Sequence, residues 1–536
     1  MVTREYDGLA GAGGVKDVSR QLAEALVAHG DVAVTVVLPK YGFMDAQRLG
    51  FSPLQFCAPG SSGFGDVFAV DMNYTREERR EDVSAWCATI KGVRIILLES
   101  LRFTEKRDVY TYTSQEQAVE GWKRRGSGHF DYFAMNILLQ KAALDLMILL
   151  GERPSIIHCQ DGHTAVLAAM IRETSGYRHY FRASGVVVTI HNAGQGYHQE
   201  IGDLPFAQAV TGLPGRVIYD SRLGDEFDPF VAASGYAVLN TVSENYAREL
   251  QETNGDYRTG WLGHKLLQRG IHLAGVTNGI NPEDVDPTHS EELGLAASFD
   301  PGAGDLEGKK RCKAEVLRLI ADGGPWDKVT QFGTLEGSLD QPLFTFIGRF
   351  TEQKGVDVLL RSLVRLQAEG HAYRCLVLGS GDPELEEQLL GITEKGSQYG
   401  SVCFLRGYDP KLSFKVYAAG DFFLIPSSYE PCGLTDYIAQ LLGNLPVVHS
   451  VGGLVKVRDG ETGLAYSDHS PGSLTDAMCR AINLYENHPQ DIRKMQAEAV
   501  RTIHRHHTWK VVVKKYFHLY QEALKLTGGN CMEKDT

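Results

Sequence analysis

The sequence lacks the signatures of a membrane protein, a secreted protein and a metal protein. It has no apolar run close to the roughly 18 residues that span a bilayer, and its first residues, MVTREY, lack the apolar region of a secretory signal. Its nine cysteines show no CxxC pair and no metal-ligand spacing. An odd number of thiols in a chain of 536 residues is typical of a reducing compartment. We therefore expect a soluble, cytoplasmic protein with no metal site and no disulfide framework.

A net basic charge is also missing. The chain has 54 Lys and Arg against 67 Asp and Glu, a net charge of −13, which argues against nucleic acid or a membrane surface as the main partner. A small anionic ligand needs only a local basic pocket and is not excluded. Neither a GxGxxG fingerprint nor a Walker loop is present, so dehydrogenase and ATPase functions lose support. The sequence does not indicate an oligomeric state.

What the sequence does contain is a regular alternation of short apolar runs and amphipathic helical stretches. The chain is longer than the number of residues that one hydrophobic core usually stabilises, so we expect two domains of roughly 250 residues. Continuous Val/Ile/Leu runs with helices between them predict an α/β protein with two doubly wound, Rossmann-like parallel sheets. The predicted strands are 32–38, 93–98, 156–159, 186–190 and 237–242 in the first half, and 343–347, 375–378, 402–405, 422–425 and 445–449 in the second.

The domain boundaries follow from this pattern. We predict an N-terminal domain over 1–280, a C-terminal domain over 281–508 and a final helix over 509–526. Residues 282–339 show little strand signal, and their Asp/Gly/Pro-rich pieces, such as 300–305, are interpreted as loop. The final helix either crosses back over both domains or is an ordinary surface helix. Only two or three residues are available for the strand that should precede the first glycine-rich turn. Either this central strand is cut short or the natural start lies upstream of Met1, and we favour the upstream start.

Two groups of residues in the first half are candidates for ligand binding. The glycine-rich loop 11–17 opens a helix, and its Gly13 and Gly14 allow a phosphate to approach backbone amides, although plain turns also use glycine. Asp161 and His191 each follow a predicted strand, where open α/β sheets bind ligands. His158 and His163 lie five residues apart, but no third metal ligand is spaced to join them.

The second half carries two further groups. Arg349 and Lys354, five apart beside glycines, can hold a diphosphate by charge, and a solvated basic pair is the alternative. Glu430 is the carboxylate of the turn after strand 422–425, and a helix-capping role is its alternative. Gly433, Leu434 and Thr435 follow it and can present backbone amides. A second glycine turn, 452–454, follows the next strand and favours ligand binding for both turns.

Taken in order, these motifs resemble the bacterial and plant glycogen/starch synthase family of retaining glycosyltransferases, over nearly the whole chain. The motifs that carry the resemblance are Gly13-Gly14-Val15 before Asp17-Val18, Leu38-Pro39-Lys40-Tyr41, 158–164, His191-Asn192, Thr241-Val242-Ser243 with Tyr246-Ala247, Asn278-Gly279-Ile280, Gly348-Arg349 with Gln353-Lys354-Gly355, Pro426-Ser427, 430–435, and Gly452-Gly453-Leu454.

The resemblance implies a GT-B architecture, in which two Rossmann-like domains face a cleft and a C-terminal helix crosses back. It implies transfer of glucose, with retention, from a nucleotide sugar, typically ADP-glucose, to the 4-hydroxyl at the non-reducing end of an α-1,4-glucan. No cofactor and no essential metal are implied. The implied partners are therefore the nucleotide sugar and the glucan.

The resemblance also assigns roles to single residues. Glu430, His191 and Asp161 are the implied catalytic residues: Glu430 binds glucose hydroxyls, His191 places its backbone carbonyl against the developing cation, and Asp161 orders the glucosyl side. The implied donor-binding residues are Arg349, Lys354, Gly13, Gly14, Gly433, Leu434 and Thr435. The acceptor-side residues are Lys16, Asn192 and Gln195.

The sequence departs from the family pattern mainly in the N-terminal domain. The departures are Gly11-Ala12 for Lys-Thr, Lys16 for Gly, Gln160 for His, Gly162 for Trp, Ala-Gly-Gln-Gly-Tyr after Asn192 for Leu-Ala-Tyr-Gln-Gly, and Asp436 for Gln. Two alternatives to glucan synthesis therefore stay open. One is a glucosyltransferase with another donor base or a small sugar or oligosaccharide acceptor. The other is a non-catalytic paralogue that binds nucleotide sugar or glucan.

Overall fold

The chain divides into two compact units. The computed structural model describes residues 1–57, 64–337, 339–395 and 400–529. The first unit comprises Met1–Gly279 with the described part of Trp509–Thr536, and the second comprises Ile280–Thr508. The chain therefore leaves the first unit once, completes the second, and returns.

The first unit contains thirteen strands and thirteen α-helices among its described residues. The strands are β1 Thr35–Pro39, β2 Ser52–Pro53, β3 Phe56–Cys57, β4 Phe64–Gly65, β5 Val67–Asp71, β6 Arg80–Ile90, β7 Val93–Glu99, β8 Ile156–Gln160, β9 Gly185–Ile190, β10 Arg222–Leu223, β11 Glu226–Phe227, β12 Val238–Thr241 and β13 Ala274–Gly275. The helices are α1 Gly14–His29, α2 Leu101–Thr104, α3 Ser114–Val119, α4 Tyr132–Leu149, α5 Gly162–Ala165, α6 Leu167–Glu173, α7 Ser175–Tyr180, α8 Leu204–Thr211, α9 Gly215–Asp220, α10 Pro229–Ala233, α11 Glu244–Glu252, α12 Leu262–Gln268 and the C-terminal α21 Trp509–Gly529.

The sheet of the first unit is parallel in its centre. Strands run in the order β13-β12-β9-β8 on one side and β1-β7-β6-β2 on the other, with β6 antiparallel to β7. Val2 joins the two sides by parallel bridges to Cys159 and Val37. Its N–H donates to the His158 carbonyl at 2.8 Å, and its own carbonyl accepts the Gln160 N–H at 3.1 Å. The few residues before the glycine-rich turn thus occupy the central strand position.

The second unit is a seven-stranded sheet with helices between the strands. Its strands are β14 Val329–Phe332, β15 Leu343–Phe350, β16 Tyr373–Gly381, β17 Gly400–Gly407, β18 Phe422–Ile425, β19 Leu445–His449 and β20 Leu464–Tyr466. Its helices are α13 Ser290–Leu293, α14 Glu307–Ala321, α15 Val356–Ala368, α16 Pro383–Lys395, α17 Pro410–Ala419, α18 Thr435–Leu441, α19 Pro471–Asn487 and α20 Pro489–Thr502, with short 3-10 turns at Pro282–Val285, Glu352–Lys354 and Gly452–Lys456.

The order of this sheet is β14-β17-β16-β15-β18-β19-β20, and only the edge strand β14 pairs antiparallel. All ten predicted strands are confirmed, and their continuous apolar runs are buried on both faces. The stretch 282–339, with its weak strand signal, contains helix α14 and one short strand, β14, and its piece 301–304 is a turn. The inner face of α14 includes Lys309, whose ammonium donates to three backbone carbonyls, of Ala418, Gly420 and Leu442. In a sequence, a lysine at such a position indicates an exposed helix face, so the pattern does not predict its burial.

The final helix, α21, packs on the first unit. Trp509 Nε1 donates to Gln21 Oε1 at 2.7 Å, and Tyr520 Oη lies 3.0 Å from His158 Nδ1. The only described helix long and apolar enough to cross a membrane is α4, and 72% of it is buried within the protein. Core helices of globular domains pass the same test, so α4 is explained by its packing.

Candidate functional site

In the second unit, the loop after β15 packs on the loop after β18. The Ser428 N–H donates to the Gln353 carbonyl at 2.9 Å. Gly355 adopts a left-handed φ of +67°, and a Cβ on it would lie 1.9 Å from the Pro426 carbonyl oxygen. Glycine is therefore required here on two grounds, conformation and space. This close approach fixes the two loops against each other at the carboxyl ends of neighbouring parallel strands.

The packing brings two predicted site residues into contact. Lys354 Nζ lies 2.5 Å from Glu430 Oε2, and the Ser427 hydroxyl donates to the same oxygen at 3.2 Å. The Lys354 and Glu430 side chains are 25% and 12% exposed, so the pair is accessible from one side only. Because the two side chains are partly buried, their charge-assisted hydrogen bond holds both of them in one geometry. The loops thus present a cation and a carboxylate to the same volume.

The second glycine turn supports the backbone of Glu430. The Glu430 carbonyl accepts the Gly453 N–H at 2.9 Å. Gly452 has a φ of +52°, and a Cβ there would lie 2.0 Å from that same carbonyl oxygen. The glycines of this turn therefore set where the carboxylate of Glu430 stands.

A buried ion pair braces the turn after Glu430. Lys456 Nζ lies 3.1 Å from Asp436 Oδ1 and donates to the carbonyls of Cys432 and Gly433, at 2.5 and 2.8 Å. Burial raises the pKa of Asp436 to about 6, and the lysine opposes this rise. Asp436, a departure from the family pattern, thus has its own cation. No sequence pattern joins residues 20 apart, so Lys456 could not be predicted from the sequence.

The remaining predicted donor-side residues lie at strand and helix ends. Arg349 is exposed near the end of β15, and its guanidinium forms no hydrogen bond or ion pair with the residues that the structure describes. Leu434 is the N-cap of α18, and the helix begins at Thr435. The first N–H groups of a helix have no partner inside it, and the helix dipole favours an anion there. The placement suits an anionic ligand.

In the first unit, Asp161 and His191 meet at the ends of β8 and β9. The Asp161 carboxylate accepts the His191 backbone N–H at 3.1 Å, and Asp161 itself has a positive φ of 64°. Non-glycine residues in such conformations cost about 1–3 kcal/mol and cluster at functional sites. Burial raises the pKa of Asp161 to about 7, although the backbone N–H donors lower it.

The imidazole of His191 is neutral and oriented. Burial lowers its pKa to about 4, and Nε2 lies 2.7 Å from Gln160 Oε1. A neutral ring must donate from Nε2 to this oxygen, so its Nδ1 is an acceptor. The amide nitrogen of Gln160 is buried without a partner in the described structure. Buried donors without a partner are rare in proteins, and one beside these two residues indicates a ligand-binding site.

The loop after His191 is anchored by a residue that the sequence analysis did not single out. His198 Nε2 lies 2.6 Å from the Ala193 carbonyl, and its Nδ1 lies 2.6 Å from Asp228 Oδ2. The predicted acceptor-side residues lie on this loop: the Asn192 side chain accepts the Gly194 N–H, and Gln195 is exposed. His198 therefore holds the loop in place.

We expect this anchor to depend on pH. Burial lowers the pKa of His198, but Asp228 outweighs burial and raises the pKa to about 9. A histidine whose pKa is raised by folding stabilises the folded state fully at a pH below its unfolded pKa of about 6.5. This stabilisation is lost as the pH rises through the pKa of the folded state. Replacing His198 with asparagine should lower the free energy of unfolding by about 3 kcal/mol near pH 6 and by clearly less near pH 10, measured by urea unfolding. The exposed His488→Asn is the control, and an equal loss at both pH values would contradict the ion pair.

The glycine-rich loop faces a carboxylate of the chain itself. Glu5 is buried, and its Oε2 accepts the N–H groups of Ala12 and Gly13 at 2.8 and 3.2 Å. A Cβ on Gly13 would meet nothing within 4 Å, so packing does not explain this glycine. Gly14 begins α1 and is exposed. The amides of Ala12 and Gly13 thus have a partner within the chain, a carboxylate that lies directly after the first strand segment.

Lys16 forms ion pairs with two other carboxylates. Its ammonium lies 3.1 Å from Asp7 Oδ1 and 2.9 Å from Asp17 Oδ1. Lys16, Asp7 and Gly11 line part of an open pocket of about 430 Å³ in the first unit. The lysine therefore lies on a pocket wall with its charge already paired.

The structure explains why residue 162 is a glycine, where the family pattern has Trp. A Cβ on it would lie 2.2 Å from the His198 carbonyl oxygen. The anchored loop thus occupies the space that a larger side chain would need. Both ring nitrogens of His158 are used within the unit, one on Tyr520 and the other on Thr189 at 2.7 Å.

Comparison with known proteins agrees with this arrangement of motifs. Residues 1–266 match the family model of the starch synthase catalytic domain, and residues 341–483 match that of glycosyl transferases group 1. A glycogen synthase of Aeromonas salmonicida is 30% identical over 539 residues, covering 98% of each chain. The chain belongs to the glycogen synthase family. A glycogen synthase of Aeromonas hydrophila, 29% identical over 540 residues and again 98% of each chain, is a further relative.

The fold is that of the glycogen synthase family. The catalytic domain of starch synthase IV from Arabidopsis thaliana, solved bound to ADP and acarbose, superposes with a TM-score of 0.77 at 24% identity, over 98% of each chain. The predicted GT-B class, with two Rossmann-like units, is thereby confirmed. As a member of the glycogen synthase family, the protein is a glycosyltransferase.

Proposed function

We propose that this protein is a glycogen synthase that transfers glucose, with retention, from ADP-glucose to the non-reducing end of an α-1,4-glucan. The names of its relatives and the ADP in the starch synthase IV structure support this choice. The observation that carries the proposal is the contact between Lys354 and Glu430 at 2.5 Å. It presents a charge for phosphate and a carboxylate for sugar hydroxyls from two neighbouring strand ends.

The second unit provides the donor-binding residues in this proposal. Arg349 and Lys354 neutralise the diphosphate as it departs, and Glu430 accepts hydrogen bonds from the glucose hydroxyls. Such preorganised charges act on the charge that develops in the transition state. The amides of Gly433, Leu434 and Thr435 lie at a helix start, where an anion is favoured. Lys354 is paired with Glu430, so on donor binding its ammonium must contact both the carboxylate and the phosphate.

The reaction exchanges one bond at the anomeric carbon for another. The bond from the glucose C1 to the phosphate oxygen breaks, a bond from C1 to the acceptor 4-oxygen forms on the same face, and the hydroxyl proton goes to the departing phosphate oxygen. ADP and a glucan longer by one glucose result. The proposal includes no covalent nucleophile, no cofactor and no essential metal.

The first unit provides the acceptor-side residues. Asp161 and neutral His191 share a hydrogen bond at strand ends, and Gln160 leaves a donor free for a hydroxyl. Sugar hydroxyls both donate and accept, so a neutral imidazole and a free amide donor suit them. Gly162 and the residues after Asn192 depart from the family pattern on this side, and a shorter or smaller acceptor is therefore the second candidate.

The test is a transfer assay with two donors and three acceptors. Radiolabelled ADP-glucose and UDP-glucose are each incubated with glycogen, with maltooligosaccharides and with free glucose. We expect label in glycogen and maltooligosaccharides from ADP-glucose, with release of ADP. Label only in free glucose would favour the small-acceptor alternative. The absence of both transfer and donor hydrolysis would favour a non-catalytic binding protein. Each of these two outcomes would contradict the proposal.

We further propose a cytoplasmic location, where such a donor is made.

A further inference from the structure

Three side chains with metal-binding atoms meet on the second unit, at residues that the proposed transfer reaction does not use. Glu369 caps the C-terminus of α15, His371 follows two residues later, and Cys479 lies in the middle of α19. They are the one such group of three or more among the residues that the structure describes. Glu369 and His371 are 38% exposed and Cys479 is half-buried, so a cation can reach them from solvent.

The distances between these atoms suit a tetrahedral metal. Cys479 Sγ lies 3.4 Å from His371 Nε2, which lies 3.7 Å from Glu369 Oε2, and all three ligand atoms lie within 4.8 Å of one another. In a tetrahedral zinc site, bonds of about 2.3 Å to sulfur and about 2.0–2.1 Å to nitrogen or oxygen place neighbouring ligand atoms about 3.3–3.6 Å apart. Small side-chain rotations would bring the three atoms to those separations.

The surroundings supply an orienting contact and negative charge. Arg365 Nε donates to Glu369 Oε1 at 2.7 Å, which leaves Oε2 directed at His371. Hydrogen bonds of this kind orient the ligands of metal sites. A cation between these groups would relieve the repulsion between a Cys479 thiolate and the Glu369 carboxylate.

We propose that Glu369, His371 and Cys479 bind a zinc ion, with a water molecule as fourth ligand. On binding, the Cys479 thiol releases its proton to solvent and the thiolate binds the metal, while His371 binds as the neutral imidazole. A sulfur, a nitrogen and an oxygen ligand together select zinc over magnesium or calcium, which prefer oxygen alone. The ion would link the end of α15 to α19, two helices that pack on each other, and so stabilise the second unit.

Zinc titration of the full-length protein tests this proposal. Metal-free protein competes with a chromogenic chelator for zinc, and cobalt(II) is added separately to look for thiolate-to-cobalt charge-transfer absorption. We expect one bound equivalent in the wild type, and a loss of about 100-fold or more in affinity for Cys479→Ser and for His371→Asn, since even outer-shell changes cost about 10–100-fold. Cys87→Ser and His488→Asn replace the same residue types elsewhere and should bind zinc as the wild type does.

Thermal unfolding provides a second measurement that does not depend on activity. Zinc should raise the melting temperature of the wild type and of Cys87→Ser, but not that of Cys479→Ser, because only a ligand of the folded state stabilises it. If Cys479→Ser and His371→Asn keep the wild-type affinity, or if cobalt gives no thiolate absorption, the bound metal is adventitious and the proposal is overturned. Circular dichroism of each variant at room temperature establishes that it has folded.

Discussion

Glu430→Ala is expected to lower the turnover of glucosyl transfer by about 10²–10³-fold while ADP binds at least as tightly as before. Removal of one preorganised group that acts on developing charge costs about this much in other enzymes. Nucleotide affinity should hold or increase, because Lys354 is released from its 2.5 Å contact and becomes fully available to phosphate. The two effects therefore run in opposite directions, which a merely unfolded variant cannot reproduce.

The measurement is the initial rate with labelled ADP-glucose and glycogen, combined with calorimetric titration of ADP. Glu352→Ala is the matched control, since it removes an exposed carboxylate two residues from Lys354 that the proposed mechanism does not use. Glu430→Gln retains the size of the side chain and should lose turnover as well. Near-wild-type turnover for Glu430→Ala would show that the carboxylate does not contact the sugar.

Gly452→Ala is expected to lower turnover by about 10²-fold without touching any side chain of the site. The added methyl group would lie 2.0 Å from the Glu430 carbonyl oxygen, so the turn that carries Glu430 must move. A misplacement of about 1 Å at a reacting centre can cost about 10²-fold in rate. The substitution should also lower the free energy of unfolding, because alanine is strained at a φ of +52°.

The control for this prediction is Gly460→Ala. Gly460 is likewise left-handed, at +72°, but a Cβ there meets nothing within 4 Å. Both variants thus carry the backbone strain of about 1–2 kcal/mol, and only one carries the collision. Comparable turnover in the two variants, after each is measured at a temperature where it is folded, would mean that the glycine turn does not position Glu430.

Much of the fold could be predicted because the strands of this protein are buried on both faces. Runs such as 422–425 and 445–448 are apolar throughout, and burial inside a sheet is the favourable place for such runs. The long strand β6 was not predicted, since its outward residues are polar and its partners β5 and β7 pair antiparallel to it. Helix α14 was missed for a related reason: Lys309 on its buried side satisfies its charge with carbonyls more than 100 residues away.

The same distinction applies to the candidate site. Lys354 and Glu430 were predicted because each lies in a glycine turn at a strand end, a local pattern. Glu5 and Lys456 escaped prediction because their roles depend on contacts that only the folded chain creates: Glu5 with the loop amides, and Lys456 with carbonyls 23 and 24 residues distant. Sequence patterns report where backbone turns present a ligand site. They do not report which distant side chain holds such a turn.

The return of the chain to its first unit has a consequence for synthesis on the ribosome. Residues Ile280–Thr508 are continuous in sequence and can fold as soon as they have left the exit tunnel. The first unit is completed later, because α21 covers β9 and supplies Tyr520 to His158 only after residues 509–529 have been made. Until then, the apolar surface that α21 will cover is exposed to chaperones. A stop codon just before Trp509 would therefore damage the unit made first and spare the unit made second.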